Sequence, residues 1–342
     1  MSAPGTTYRR LSLAAALAAL ASALPGGLAA QVVRDAAGIF PDGAVAEVIF
    51  ADGVFTEGPA MGPDGLLYFS DITSPARSGN QAGYIWRLDP ATRHAEIWRS
   101  PSGMSNGLAW DGEGRLVAAM GANFGGRAIV RTDLRTGRSV FLAGLYNGRS
   151  LNSPNDLVLD AAGRVYFTDP RYVGHEPVEQ PVEGVYRIDT DGSVTRIIDD
   201  AGKPNGVAVS PDGRTLYVAS SEWPVRTGFN AVLAWDLGDD GSVSNIRTLI
   251  DFRPDAGPDG MAVDVDGNIY MARPSADPGV YVVSPRGDEL AWLRLPDNPT
   301  NVAFGTGEHA RTLFITAGPR VYAVPTSRSG FHPNSWSGAR RQ

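Results

Sequence analysis

The sequence predicts an all-β chain folded as a six-bladed β-propeller of four-stranded antiparallel blades, and three observations carry that expectation. Gly (41) and Pro (25) are more numerous than a helical chain of 342 residues would tolerate. No stretch keeps a 3.6-residue apolar period. A glycine-centred unit also recurs: Gly65 in GPDGLLYFSD, Gly114 in DGEGRLVAAM, Gly163 in DAAGRVYFTD, Gly213 in SPDGRTLYVAS and Gly267 in DVDGNIYMAR, at spacings of 49, 49, 50 and 54 residues. A degenerate sixth copy is GTGEHARTLFITA, residues 305–317. Each unit reads as four short strands, in the second copy GLAW, RLVAAM, AIVRTD and SVFLA, and four strands per roughly 45–50 residues is the pattern of a propeller blade.

Taken along the chain, residues 1–30 read as a signal peptide. Arg9 and Arg10 precede an Ala/Leu run over residues 11–24, and GLAA at residues 27–30 offers small residues for cleavage. The run is too short to span a bilayer, so the mature chain is expected in the periplasm or secreted, by a general or a twin-arginine route. Residues 31–325 form the propeller. Residues 45–50 (VAEVIF) are expected to close the ring by pairing near residues 320–324, which removes an exposed edge. Residues 326–342 form a loose polar tail.

Composition narrows the function. Lys plus Arg (30) against Asp plus Glu (37) leave a net charge of −7 without a basic run, which argues against nucleic acid as a partner. There is no cysteine, and His94, His175, His309 and His332 show no ligand spacing, so any metal is held by oxygen. The chain reads as a monomer without a membrane span after leader cleavage.

The functional signal lies eight residues before each repeat glycine, at Glu57, Asn106, Asn155, Asn205 and Asp259, with Asn301 ahead of the sixth strand in the same way. Equal register on the innermost strands means equal height, so these side chains should ring one mouth of the central channel. Buried amides and acids without partners are costly. A hard cation satisfies them, and calcium, with 6 to 8 oxygen ligands, suits two acids among amides; another divalent ion such as magnesium or zinc is the alternative.

The motifs EGP (residues 57–59), LNSPNDLVLD (151–160), FTDP (167–170), PNGVAVSPDGRTLYVA (204–219), PDGMAVDVDGNIY (258–270) and NVAFG (301–305) resemble the gluconolactonase and senescence marker protein (regucalcin) family, to which luciferin-regenerating enzyme-like proteins also belong. The resemblance runs over nearly the whole mature chain. It implies a divalent ion, usually calcium, held by Glu57, Asn155, Asn205 and Asp259, and hydrolysis of sugar-type lactones. It places Asp156 near the substrate. Asp259 or Asp156 is then the catalytic base, and Asn106, Asn301, Arg171 and His175 are candidate substrate contacts. Animal members carry arginine where this chain has Ser153, so their sugar preference does not transfer.

Two motifs are decoys. GMSNG (residues 103–107) spells a nucleophile elbow but enters a strand, where no strand-to-helix turn exists. DVDGN (residues 264–268) resembles the start of an EF-hand loop, but its glycine is displaced and no glutamate closes it, so it is a β-turn. The expected function is an exported metal-dependent lactonase. The alternatives are a phosphotriesterase-like hydrolase on the same scaffold and a non-catalytic binding propeller stabilised by its ion.

Overall fold

A computed structural model describes residues 30–74, 82–222 and 228–334. Residues 1–29, all but the last residue of the expected signal peptide, and residues 335–342 of the expected tail lie outside the described residues. Six antiparallel sheets follow one another along the chain as the blades of a propeller. Blade 1 is Thr56–Met61, Leu67–Asp71, Tyr84–Leu88 and Ala95–Arg99; blade 2 is Ser105–Trp110, Leu116–Met120, Ala128–Thr132 and Ser139–Ala143. Blade 3 is Leu157–Leu159, Val165–Asp169, Gly184–Ile188 and Val194–Ile198; blade 4 is Pro204–Val209, Thr215–Ser221, Asn230–Leu237 and Val243–Asp251. Blade 5 contains Met261–Val263, Ile269–Arg273, Gly279–Val283 and Glu289–Arg294, and blade 6 contains Pro299–Phe304, Thr312–Ala317 and Arg320–Pro325.

The ring closes as the sequence predicts. Glu47–Phe50 is the fourth strand of blade 6, with Glu47 opposite Ala323, Val48 opposite Tyr322 and Phe50 opposite Val321. One strand is unforeseen: Gln31–Asp35 adds a fifth, outer strand to blade 5 against Glu289–Arg294. Its mixed, largely exposed residues carry no alternation that would have announced it.

The apolar core is divided among the gaps between blades. Tyr68 and Ile85 of blade 1 meet Leu108, Leu116 and Ala118 of blade 2, and Phe50 of the closing strand packs with Phe69 and Leu67 of blade 1. Each wedge locks two neighbours, so the blades hold one another and the inner strands are fixed in height. The repeat turns are satisfied locally. Asp160 accepts the N–H groups of Ala162 and Arg164 and the Tyr166 hydroxyl at 3.0 Å each, and Asp264 does the same for Asp266, Asn268 and Tyr270. DVDGN is therefore a turn closed by Gly267 N–H on the Asp264 carbonyl at 3.0 Å.

The tail departs from expectation. Residues 326–334 are not loose: Val265 N–H donates to Ser329 O at 3.0 Å, Phe331 N–H to Val263 O at 2.9 Å, and His332 Nε2 lies 3.0 Å from Gly305 O. These partners sit at the exit ends of the inner strands, so the segment straps that end of the channel. Burial holds the His332 pKa below its usual value, which keeps the ring neutral. No helix among the described residues is long and apolar enough to cross a membrane.

Candidate active site

Neighbouring blades are joined all the way round by hydrogen bonds near the level of the predicted ring, from the inner strand or the one beside it. Gly107 N–H donates to Asn155 O at 2.8 Å, Gly206 N–H to Asp259 O at 3.2 Å and Gly260 N–H to Thr300 O at 2.8 Å. Threonine and serine hydroxyls complete the circuit: Thr168 Oγ1 donates to Asn205 O at 2.7 Å, Thr300 Oγ1 to Thr56 O at 2.7 Å, and Ser70 Oγ to Ser105 Oγ at 2.8 Å. The glycines are steric requirements. A β-carbon on Gly58 would lie 2.1 Å from Asn106 O, and one on Gly206 2.4 Å from Asp259 O. Two blades replace that glycine, with Asp156 and Asn301, and in both the link to the next blade is made by a threonine hydroxyl, which leaves room for a side chain.

This circuit corrects one register. Phe304 pairs with Leu313 as Val263 pairs with Ile269, so Thr300 and not Asn301 stands level with Asp259. Asn301 is one residue on, level with Asp156. A longer turn containing Gly307–His309 follows the sixth strand and displaces the apparent repeat glycine.

Three carboxylates feel one another's charge at this level. Glu57 and Asp156 are buried and Asp259 is half-buried, and desolvation is the main cause that raises all three pKa values: Asp156 to about 7, Asp259 to about 8, and Glu57 well above the usual carboxylate range. The Asp259 and Asp156 charges push Glu57 further up, and Asp156 does the same to Asp259. Partial relief comes from Gly58 N–H on Glu57 Oε2 at 3.1 Å, from Leu157 N–H on Asp156 Oδ1 at 2.9 Å, and from the amides of Asn301 and Asn205. Relief is incomplete, and two amide oxygens, Asn106 Oδ1 and Asn205 Oδ1, are buried without any partner.

A group of like charges beside orphaned carbonyl oxygens has the donor set of a hard divalent cation. Among the described residues no three His, Cys, Asp or Glu side chains cluster as a metal site by themselves. The reason is the composition of the ring, in which amides alternate with acids, so a cation would be held by both kinds of oxygen. Asn155, half-buried, is fixed through its backbone: its N–H donates to Thr168 O at 2.9 Å and its carbonyl accepts Gly107 N–H. Beyond this level the channel is a cavity of about 410 Å³ that Asp156 and Asn301 reach from one end and His332 and Asn334 from the other.

Of the candidate contacts outside the ring, Arg171 is engaged with backbone carbonyls. Its Nε and Nη2 donate to Asn152 O at 3.2 and 2.7 Å and its Nη1 to Glu176 O at 2.7 Å, so three of its five N–H groups brace a loop. His175 is exposed and packs on the ring of Phe124 at 4.2 Å between centroids. Ser153 Oγ accepts Ala122 N–H at 2.8 Å. Ser105 of GMSNG is fully buried in a strand and bonded to Ser70, which excludes an elbow nucleophile. Sequence reasoning missed Tyr172 and Lys203. The Tyr172 hydroxyl donates to Ser221 O at 2.8 Å, burial and the charge of Asp259 raise its pKa, and the Lys203 ammonium lies 4.7 Å over its ring. The available signal was offset: Lys203 precedes Asn205 by two residues, as Ser153 precedes Asn155.

The chain is similar to known proteins over most of its length. Residues 55–318 match the family model described as SMP-30/Gluconolactonase/LRE-like region. A gluconolactonase of Zymomonas mobilis is 34% identical over 308 residues, covering 83% of this chain and 82% of that protein. A pentonolactonase of Haloferax volcanii is 31% identical over 266 residues, covering 76% and 80%. The solved structure of a gluconolactonase from Xanthomonas campestris superposes with a TM-score of 0.74 at 29% identity, covering 87% of this chain and 95% of that one.

Proposed function

This chain belongs to the SMP-30/gluconolactonase/LRE-like family, and from that premise we propose that it hydrolyses sugar-type lactones with a calcium ion held at the channel mouth by Glu57, Asn155, Asn205 and Asp259. The observation that carries the reading is the uncompensated ring: three desolvated carboxylates with raised pKa values beside the orphaned oxygens of Asn106 and Asn205. Bound there, the ion would supply Lewis acidity to the lactone carbonyl. The similarity to a gluconolactonase and a pentonolactonase supports the substrate class.

The chain's own residues supply the rest. Asp156, which the four-ligand set does not require, takes the proton of the attacking water on its carboxylate while the water oxygen bonds to the carbonyl carbon. As the ring C–O bond breaks, the same carboxyl returns the proton to the departing oxygen. Its desolvated position keeps it basic enough for the first step. Asn301, beside both Asp156 and Glu57, holds the two carboxylates in their places. Asn106 offers its amide to substrate hydroxyls. The leader-like residues 1–30 support action in the periplasm or outside the cell, and N-terminal sequencing of exported protein tests this.

The reading is tested by hydrolysis of glucono-δ-lactone, an aryl ester and a phosphotriester in a pH-stat, with and without chelator. Chelator-sensitive turnover fastest on the lactone supports it. Phosphotriester turnover well above lactone turnover would establish the phosphotriesterase alternative, and no turnover of any would favour a binding propeller.

A further inference from the structure

Three of the six blades deliver an acid to the ring: blade 1 with Glu57, blade 3 with Asp156 beside Asn155, and blade 5 with Asp259. The same three carry a charged residue four positions after the start of pairing with the inner strand, beyond Leu67, Val165 and Ile269. In blade 1 it is Asp71, 1% exposed, which accepts the N–H groups of Val54 and Phe55 at 2.9 and 2.8 Å, three and two residues before Glu57. In blade 3 it is Asp169, 0% exposed, which accepts Asn152 and Ser153 N–H at 2.8 and 2.7 Å, three and two residues before Asn155. In blade 5 it is Arg273, which bonds Asp255 at 3.1 Å, four residues before Asp259, and is held 4.7 and 4.9 Å from the rings of Phe252 and Tyr281. Blades 2, 4 and 6 have Met120, Ser220 and Ala317 at this register.

Folding a blade does not require such a group, because three blades do without it, and burying a charge is costly. What the three braced blades share is an acid at the ring. Like charges there repel, and the segment leading to each must be held against that repulsion. We propose that Asp71, Asp169 and Arg273 are positioning residues that fix the entry segments of Glu57, Asn155–Asp156 and Asp259. The inference rests on the reading of the ring as the reactive site. It extends that reading to residues that touch neither substrate nor ion.

The test compares Asp169→Asn with Asp160→Asn, a buried acid at the other end of the same blade that is also bonded to turn N–H groups and a tyrosine. Each variant is measured by calorimetric titration with calcium chloride, by kcat and KM on glucono-δ-lactone, by melting, and by amide exchange of residues 151–157. Asp169→Asn is expected to weaken calcium binding and lower kcat by about tenfold or more, as loss of a group that orients ligands does. KM should change less than about threefold, and exchange protection over residues 151–157 should fall. Asp160→Asn should lower the melting temperature comparably and leave the other readouts near wild type. If Asp169→Asn does not fold, Arg273→Met, whose aliphatic chain stays between the two rings, carries the same test at residues 255–261. Equal losses in the two asparagine variants, or none in Asp169→Asn, overturn the proposal. If wild-type protein neither binds calcium nor opens lactones, the lactonase reading falls, while the exchange comparison still decides the bracing.

Discussion

Gly107 stands so close to Asp156 that a β-carbon on it would lie 2.5 Å from the Asp156 carboxylate and 2.8 Å from its α-carbon. The glycine of blade 2 is thus the floor on which the acid of blade 3 rests. Gly107→Ala should displace Asp156 and lower kcat on glucono-δ-lactone by about tenfold or more, while circular dichroism stays that of the β-rich fold. Overpacking of this kind costs about 1–3 kcal/mol, so the melting temperature should fall by several degrees without loss of folding. Activity within twofold of wild type would show that Asp156 does not need this placement.

The raised carboxyl pKa values make a stability prediction with a definite sign. An acid whose folded pKa lies above its unfolded value stabilises the fold at low pH and loses that contribution as pH rises through the folded pKa. With Asp156 at about 7 and Asp259 at about 8, metal-free protein should become less stable from about pH 4 to above pH 8. Calcium should reverse the loss, with its largest effect at the alkaline end. A melting temperature that stays flat or rises over this range in chelator would contradict the electrostatics of the ring.

Ring closure gives a prediction independent of chemistry. Phe50 on the closing strand packs at 4.9 Å from Phe69 and 5.0 Å from Trp86, ring centre to ring centre. Phe50→Ala should cost about 3–5 kcal/mol, measured by denaturant unfolding. Val48→Ala, on the exposed side of the same strand, should cost under about 1 kcal/mol. Equal costs would mean that the strand does not seal the propeller as described.

Arg171 separates bracing from substrate contact. Three of its five N–H groups are bonded to the Asn152 and Glu176 carbonyls, so Arg171→Met should lower the melting temperature while changing KM less than about twofold. A large rise in KM at unchanged stability would return Arg171 to the substrate wall.

Much of this architecture is legible in the sequence because each blade repeats the same turn chemistry at nearly constant spacing. Five ring positions follow from that spacing, and the closing strand follows from the need to cover an edge. Sequence spacing puts Asn301 one position out because the sixth repeat has an extra 3₁₀ turn, Gly307–His309, and lacks the acid-or-amide-then-glycine pair that marks four of the other five. The glycine rule itself held the answer: Asp156 and Asn301 are the two residues that replace it, and they share one level. The backbone contacts of Arg171 and of residues 326–334 are hidden in the sequence for another reason. A polar side chain or tail looks solvated in sequence until the backbone carbonyls it will meet, from segments distant along the chain, are known.

The central claim, that the ring holds a cation used for hydrolysis, is tested most directly by titrating calcium into metal-stripped wild type and Asp259→Ala in a calorimeter. The account predicts one site per chain in wild type and its loss in Asp259→Ala, whose melting profile shows that the blades remain folded. Binding of equal affinity in both proteins, or no binding in wild type, would contradict it.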